Sequence, residues 1–472
     1  MDRVAEAQHL LLPFNRPEYF SVPEALLSSL AWRAYEIASE ADVRKPVGLM
    51  YKADAKETQY LSLRPTKPGG AAAESLGYEL KRRALNTAAS DLLLGEAVAS
   101  SVMGIRIEKT GNQPASPMTP ALALMQDPRG VLVKKGPPDF GAIIESLFTV
   151  GHGPDGPAAS ATQLWLRAAD QRLTLDPLLD VIDASMMSTV FDGRCSRRAS
   201  SPISEESVDW CGFYPETPYE WFAKSWVALT SKEWVEVLPA RVWVDWATTV
   251  LRLAMGLGFL WEYAWYEALG TAIIQNSVPD TFEELRATVR APLPWQSSRS
   301  SVSVRDVGST IKWRISRGER IRKSLKERLN ELGGHQDAMD FLRDAAASED
   351  FRRSLAAEVA EKKEAGKLVW ETVKYGLQVR ESSGPYTDYY GILKTRGRRY
   401  LVIDPGTEWI AVVASLTCGK PRSQCNVGEV LRDLTILGMR PELGDLVSLL
   451  ERAGMARGSA DADHAVIVES AF

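Results

Sequence analysis

The stretch of sequence that decides the fold covers residues 217–274 and reads TPYEWFAKSWVALTSKEWVEVLPARVWVDWATTVLRLAMGLGFLWEYAWYEALGTAII. Large aromatic side chains contribute the most burial energy per residue, so a dense group of them marks a hydrophobic core or a large docking surface. We interpret this stretch as the core. It holds half of the chain's 14 tryptophans, namely Trp221, Trp226, Trp234, Trp243, Trp246, Trp261 and Trp265.

Helix signals divide this stretch. Thr217 and Glu220 have capping-box spacing and Pro218 occupies the first helical position, so a helix is expected to begin there. From residue 241 to 274 the apolar residues recur at helical spacing, which predicts one long helix. Gly256 and Gly258 weaken that helix, and close approach of a neighbouring helix is the expected reason for them.

Residues 247–274 are also long enough to cross a bilayer, and this alternative has to be weighed. The segment carries Arg252, Glu262 and Glu267, and charged side chains are costly at membrane depth. It also lacks the flanking basic clusters that orient membrane helices. The sequence therefore favours a buried central helix and no membrane partner.

Composition limits the classes of protein to which the chain can belong. A chain of 472 residues is expected to contain two to four domains. Its net charge of −5 excludes a uniformly basic nucleic-acid coat but allows a local basic patch. Four cysteines without a CxxC spacing and four scattered histidines predict neither a disulfide framework nor a metal site, and no cofactor is indicated. The first residues lack a signal peptide, so a cytoplasmic location is expected.

The order of patterns predicts an α+β fold that is predominantly helical and multi-domain. Short β-like segments are expected at residues 47–51 and 59–63, a helix at 24–41, and an exposed loop at 192–208. We predict five regions: an N-terminal mixed α/β domain at 1–110, a Gly/Pro-rich linker region at 111–160, the Trp-rich helical core at 161–296, a basic segment with charged helices at 297–385, and a C-terminal domain at 386–472.

The basic segment is the strongest functional signal. From residue 299 to 328 ten Lys or Arg oppose three acids, a local net charge of 10 − 3 = +7. Cations of this density can bind the phosphates of DNA or RNA by releasing counterions. The alternative is that they pair with the protein's own acids at residues 346–364, since a charge run is often only a solvated helix face. The candidate nucleic-acid-binding residues here are Arg305, Lys312, Arg314, Arg317, Arg320, Arg322, Lys323 and Lys326.

A second basic group follows in the C-terminal region. It lies beside Tyr389, Tyr390 and Tyr400, and it extends the same track if it folds near the basic segment. Its candidate nucleic-acid-binding residues are Lys394, Arg396, Arg398 and Arg399.

Helical patterns at residues 408–416, 427–437 and 441–453 precede two β-like segments at 455–457 and 465–469. This order resembles a winged helix-turn-helix domain. The resemblance implies that residues 441–453 form the helix that enters the DNA major groove. That helix holds Glu442, Asp445 and Glu451 against few basic residues, and acidic side chains repel phosphates. A protein-contact role is therefore the expected one.

The sequence as a whole predicts a non-enzymatic structural or adaptor subunit of a multi-protein assembly that acts on nucleic acid, such as a bacterial defence or DNA-processing system. Other protein subunits and the DNA or RNA backbone are its expected partners. Two alternatives stay open. One is an enzyme with a site assembled from scattered residues, such as a divergent nuclease or hydrolase. The other is a winged-helix transcriptional regulator.

Overall fold

The computed structural model describes most of the chain. The described residues are 4–17, 22–37, 50–51, 63–64, 70–82, 86–105, 115–124, 139–189, 195–199, 203, 208–290, 293, 295, 306–332, 336–361, 363–379, 388–397, 399–457 and 466–472.

The fold is predominantly helical, as predicted, with short strands. Its described α-helices are α1 (Glu24–Ala34), α2 (Gly70–Arg82), α3 (Asp91–Ser101), α4 (Pro120–Leu124), α5 (Phe140–Val150), α6 (Ala161–Leu175), α7 (Pro177–Thr189), α8 (Pro218–Leu229), α9 (Lys232–Val237), α10 (Ala240–Ile274), α11 (Phe282–Ala287), α12 (Gly308–Leu332), α13 (Ala338–Ala347), α14 (Glu349–Ala360), α15 (Lys367–Leu377), α16 (Thr407–Cys418), α17 (Val427–Ile436) and α18 (Leu443–Arg452). Its described strands are β1 (Tyr35–Ile37), β2 (Met50–Tyr51), β3 (Leu63–Arg64), β4 (Cys195–Arg197), β5 (Leu393–Arg396), β6 (Tyr400–Ile403), β7 (Gln424–Asn426), β8 (Ala456–Arg457) and β9 (Ile467–Glu469).

The central helix α10 is 35 residues long and buried along most of its length. It begins after Pro239, which can precede a helix because its missing N–H has no helical partner there. Its buried charges are paired: Arg252 meets Asp388 and Glu262 meets Arg16. The prediction of a buried central helix is confirmed. Among the described residues, every helix is too short or too polar to span a bilayer.

Glycines on the central helix allow neighbours to approach closely, as predicted. A Cβ at Gly256 would lie 2.6 Å from Leu377 Cδ2 of α15, and one at Gly258 would lie 3.0 Å from Tyr219 Cε1 of α8. The basic helix α12 packs on the same central helix, where a Cβ at Gly270 would lie 2.6 Å from Ile321 Cδ1. A side chain at Gly256 or Gly270 would require Leu377 or Ile321 to shift.

The hydrophobic core is continuous along the described chain. One buried cluster contains Ala5 near the N-terminus, the tryptophans of α8 to α10, and Val468 near the C-terminus. The region predicted as a linker, where it is described, contributes the buried helices α4 and α5 to this cluster. This one cluster thus includes residues from each of the five predicted regions.

Two local predictions differ from the structure. The helix expected at residues 24–41 ends at Ala34, and β1 follows it. β1 pairs antiparallel with β4, which lies in the expected loop 192–208. A strand of three residues has too short a pattern to be recognised without its partner. The hairpin expected at 47–63 is represented by the antiparallel pair β2–β3, and the rest of it lies outside the described residues.

The C-terminal part has a defined strand order. The hairpin β5–β6 precedes α16, and β7 then connects α16 to α17. α18 follows α17, and the sheet is completed in the order β7–β9–β8 with antiparallel pairing. We call residues 404–472 the C-terminal unit. Residues 458–465 between β8 and β9 lie outside the described part of the chain.

Candidate functional site

The basic helix α12 carries most of the candidate nucleic-acid-binding residues. Its apolar face, formed by Ile311, Ile315, Ile321 and Leu325, is buried. Eight Lys or Arg and three Glu occupy the other faces between residues 308 and 332. Their contacts decide how much of this positive charge remains available to a partner.

One carboxylate of the central helix binds two arginines of α12. Glu267 Oε2 lies 2.9 Å from Arg314 Nε, and Glu267 Oε1 lies 3.5 Å from Arg317 Nη1. The three side chains are largely buried, with 14%, 24% and 15% of the side chains of Arg314, Arg317 and Glu267 exposed. Partly buried pairs are less screened than surface pairs. The Glu267 carboxylate therefore holds both guanidinium groups inside the protein.

Two more cations of α12 bind the end of α14 and the residues after it. Arg320 is buried and donates hydrogen bonds to the backbone carbonyls of Glu358, at 3.2 Å, and Glu361. Lys312 Nζ lies 2.5 Å from Glu364 Oε1. The alternative reading of the basic segment, pairing with the acids at residues 346–364, is confirmed for Lys312.

Arg322 belongs to a buried polar network that reaches the N-terminal segment. Its Nη2 lies 2.6 Å from Glu319 Oε1, and the Tyr263 hydroxyl donates to Glu319 Oε2 at 2.7 Å. Although burial disfavours the charged carboxylate, the hydrogen bonds from Arg322 and Tyr263 lower the pKa of Glu319. Arg16 continues the network by donating to the Tyr263 hydroxyl and, through both terminal nitrogens, to Glu262.

The remaining predicted cations of α12 are exposed. Lys323 is 76% exposed and lies 4.0 Å from Glu327, and Lys326 has no ion pair within the described residues. Exposed pairs contribute little to stability. Nearer the start of α12, Trp313 is 57% exposed, and the guanidinium carbon of Arg317 lies 5.2 Å from its ring centre. Arg305 lies outside the described residues.

The second basic group lies on the hairpin β5–β6. Lys394 and Arg396 share one carboxylate, Asp404, at 3.4 and 3.0 Å. Arg399 is exposed, and within the described residues it has no ion pair. The hairpin contacts the start of α12, because the Val307 N–H donates to the Leu401 carbonyl at 2.8 Å. The hairpin thus lies against the start of α12, while the exposed Lys323 and Lys326 lie towards the other end of that helix. Arg398 is not among the described residues.

Helix α18 presents the opposite charge. Its apolar residues Leu446, Leu449 and Leu450 are buried against α16, α17 and β8. Glu442 and Glu451 are exposed at its two ends, beside Arg452. The charge predicted from the sequence is therefore on the surface of this helix.

The alternative of an enzyme whose site is assembled from scattered residues requires a cleft lined by reactive side chains. The larger cleft has a volume of about 890 Å³ and is lined by α1, α5, α6 and residues near β4. Its carboxylates have structural roles: Glu145 accepts hydrogen bonds from the first N–H groups of α6, and Asp139 pairs with Arg33.

Cysteine and metal chemistry can be judged for the part of the chain that is described. Burial raises the pKa of the Cys195 thiol to about 11, which disfavours the thiolate that a nucleophile needs. No group of three His, Cys, Asp or Glu among these residues is placed to hold a metal ion. Cys418 and Cys425 lie in contact, with 3.1 Å between their sulfur atoms.

Comparison with known proteins gives no further assignment. The sequence matches no protein-family model, and no curated protein matches it significantly. The functional argument therefore depends on the geometry of this chain.

Proposed function

We propose that this chain is a non-enzymatic adaptor subunit that binds another protein through α18 of its C-terminal unit. We assign that unit to the winged helix-turn-helix class. Three helices, a strand between the first two, and a sheet in the order β7–β9–β8 support the assignment. In this class α18 is the helix that contacts the partner macromolecule.

The C-terminal unit is attached to the rest of the protein through its other elements. α16 packs against α8 and α10, and α17 packs against α8. The Trp234 indole donates to the Gly419 carbonyl at 3.0 Å, and the Phe472 ring lies 5.7 Å from Trp246. These contacts fix the unit to the core, while α18 packs within the unit.

The observation that carries the proposal is the charge of the exposed α18 surface. Glu442 and Glu451 face solvent together with Arg452, so these three exposed residues leave a net charge of 1 − 2 = −1, which disfavours a phosphate backbone. The turn before α18 is also covered, because the Leu293 N–H donates to the Gly438 carbonyl at 3.1 Å. A protein with a basic surface complements α18 better than DNA does, which disfavours the transcriptional-regulator alternative.

Charge reversal on α18 tests the proposal. Glu442→Lys combined with Glu451→Lys changes the charge by four units without altering a buried residue. Glu74→Lys combined with Asp155→Lys makes the same change on exposed residues elsewhere and is the matched control. Close charge pairs across interfaces contribute about 1.5 kcal/mol or more, so two reversals are expected to weaken binding more than tenfold.

The measurement is affinity purification from the native host, with quantitative mass spectrometry at low and high salt. We expect a near-stoichiometric protein that wild type and control retain, that the α18 variant loses, and that high salt releases. Equal recovery of that protein by wild type and the α18 variant would contradict the proposal. The proposal would also be contradicted if the α18 variant lost only bound nucleic acid and no protein.

A weaker nucleic-acid contact is a second candidate, and the exposed hairpin β5–β6 favours it. Lys394, Arg396 and Arg399 lie on this hairpin against one shared acid, and Lys323 and Lys326 are the exposed cations of α12. Lys394→Glu, Arg396→Glu and Arg399→Glu together should lower affinity for a DNA duplex at least tenfold in low salt. If the triple variant binds as tightly as wild type, the hairpin is not a phosphate contact.

A further inference from the structure

A second cavity lies where the C-terminal unit meets the core. Its volume of about 250 Å³ has room for about eight water molecules at roughly 30 Å³ each. Trp261 of the central helix, the segment from α11 to residue 290, and the turn from α17 to α18 line it. The residues that matter for its chemistry are Trp261, Arg286, Arg290, Thr435 and Arg440.

Three guanidinium groups line this cavity from two parts of the chain. Arg286 and Arg290 come from the α11 segment, and Arg440 comes from the C-terminal unit. Within the described residues none of the three has an ion pair, and Arg286 Nη1 donates only to the Phe213 carbonyl, at 3.3 Å. Most cations of α12, by contrast, are bound to the protein's own oxygens.

Two acids also line the cavity, but they do not neutralise it. Glu216 Oε1 lies 3.4 Å from Arg432 Nη2, so its charge is already balanced by an arginine outside the lining. Glu283 lies in the first turn of α11, where the helix dipole favours the ionised carboxylate. Three arginines against two acids leave the lining with a net charge of 3 − 2 = +1.

Trp261 of the central helix is also part of the cavity lining, and it is only 5% exposed. The arginines are therefore the hydrogen-bond donors on which the chemistry of this cavity depends.

We propose that this cavity binds a small phosphate-bearing ligand, whose oxygens accept hydrogen bonds from Arg286, Arg290 and Arg440. Guanidinium groups bind phosphate by paired, charge-assisted hydrogen bonds. Because Arg290 and Arg440 lie on opposite sides of the junction, the ligand would connect α11 to the turn before α18. This site is separate from the α18 surface of the proposed function.

Isothermal titration calorimetry of the full chain tests this site, with inorganic phosphate, pyrophosphate, AMP and adenosine as probes. Arg290→Ala with Arg440→Ala removes two exposed ligating side chains without touching the core. Lys232→Ala with Lys367→Ala removes the same charge from exposed residues outside the cavity and is the matched control. We expect pyrophosphate to bind wild type and control within twofold of each other, and the cavity variant at least tenfold more weakly.

The probes also distinguish the ligand's source. AMP binding more tightly than phosphate, with adenosine silent, indicates a nucleotide; equal binding of phosphate and AMP indicates the phosphate group alone. The proposal is overturned if phosphate, pyrophosphate and AMP all fail to bind wild type, or if the cavity variant binds them as wild type does. Neither outcome alters the test of α18, which uses a different surface.

Discussion

Helices α12 and α18 carry opposite charges, and they differ in what those charges contact. α12 has eight cations, and its arginines are bound by Glu267, Glu319 and other oxygens of the same chain. α18 has few charges, but its Glu442 and Glu451 face solvent. A run of charged residues in a sequence therefore does not show how much charge is accessible to a partner. That depends on which of these residues are bound within the folded protein.

The largest loss of stability is expected from breaking the deeply buried ion pair between Arg252 and Asp388. Arg252 and Asp388 are each 2% exposed, with Arg252 Nη1 at 2.7 Å from Asp388 Oδ1. Arg252→Met leaves the Asp388 carboxylate buried without a cation, which should lower the free energy of unfolding by about 3–5 kcal/mol. Urea denaturation measures the loss. Adding Asp388→Leu should restore part of it, and a double variant less stable than Arg252→Met would contradict this account of the pair.

The carboxylate of Asp245 should make the free energy of unfolding depend on pH. Burial, together with the charges of Glu24 and Asp388, raises the pKa of Asp245 to about 7 despite the nearby Arg241. Because the folded pKa lies above the unfolded value, the stability that protonation provides is present at low pH and is lost as pH rises through 7. Allowing for partial solvent exposure, Asp245→Asn should gain about 1.5 kcal/mol relative to wild type between pH 5 and pH 8. A pH-independent difference in urea denaturation would refute the shift.

Removing the carboxylate that binds two arginines of α12 should make their positive charge available to DNA. Glu267→Gln removes the carboxylate that holds Arg314 and Arg317, with an expected loss of about 1–2 kcal/mol in unfolding free energy. Two released cations should also steepen the salt dependence of duplex binding by up to about 2 units of slope. The exposed Glu327→Gln is the control and should change neither quantity measurably. If the salt slope of Glu267→Gln equals that of wild type, the two arginines do not contact DNA even without the carboxylate, and the prediction is wrong.

The smallest effect is expected for the exposed lysines of α12. Lys323→Ala with Lys326→Ala should change the unfolding free energy by no more than about 0.5 kcal/mol, because surface charges contribute little. The same variant should lower duplex affinity measurably at low salt if these lysines are the accessible part of the helix. A large loss of stability in thermal denaturation would instead show that they are structural.

The sequence predicted the features that depend on local patterns. The helix after Thr217 begins at Pro218 as expected, although the Thr217 hydroxyl donates to the Tyr214 carbonyl rather than capping the helix. Helical spacing and glycine positions indicated the buried central helix and its close neighbours. The three helices of the C-terminal unit and its last two strands also followed from periodicity and turns, but the three-residue strand β7 was not predicted.

Apart from the pairing of Lys312 with Glu364, the partners of the charged residues could not be predicted, because they are far apart in the chain. Arg16 binds Glu262 across 246 positions, and β1 pairs with β4 from 160 positions away. Nothing in the local sequence around Glu267 marks it as the carboxylate for two arginines of α12. The cavity beside Trp261 likewise requires three segments that only the fold brings together.

The salt dependence of wild-type binding to a DNA duplex tests the central claim most directly. If all eight cations of α12 met phosphates, the slope of log K against log salt would be about −7. Because most of them are bound within the protein, we predict a slope no steeper than about −4, contributed by Lys323, Lys326 and the hairpin β5–β6. A slope near −7 that Glu267→Gln leaves unchanged would show that α12 is a nucleic-acid surface after all.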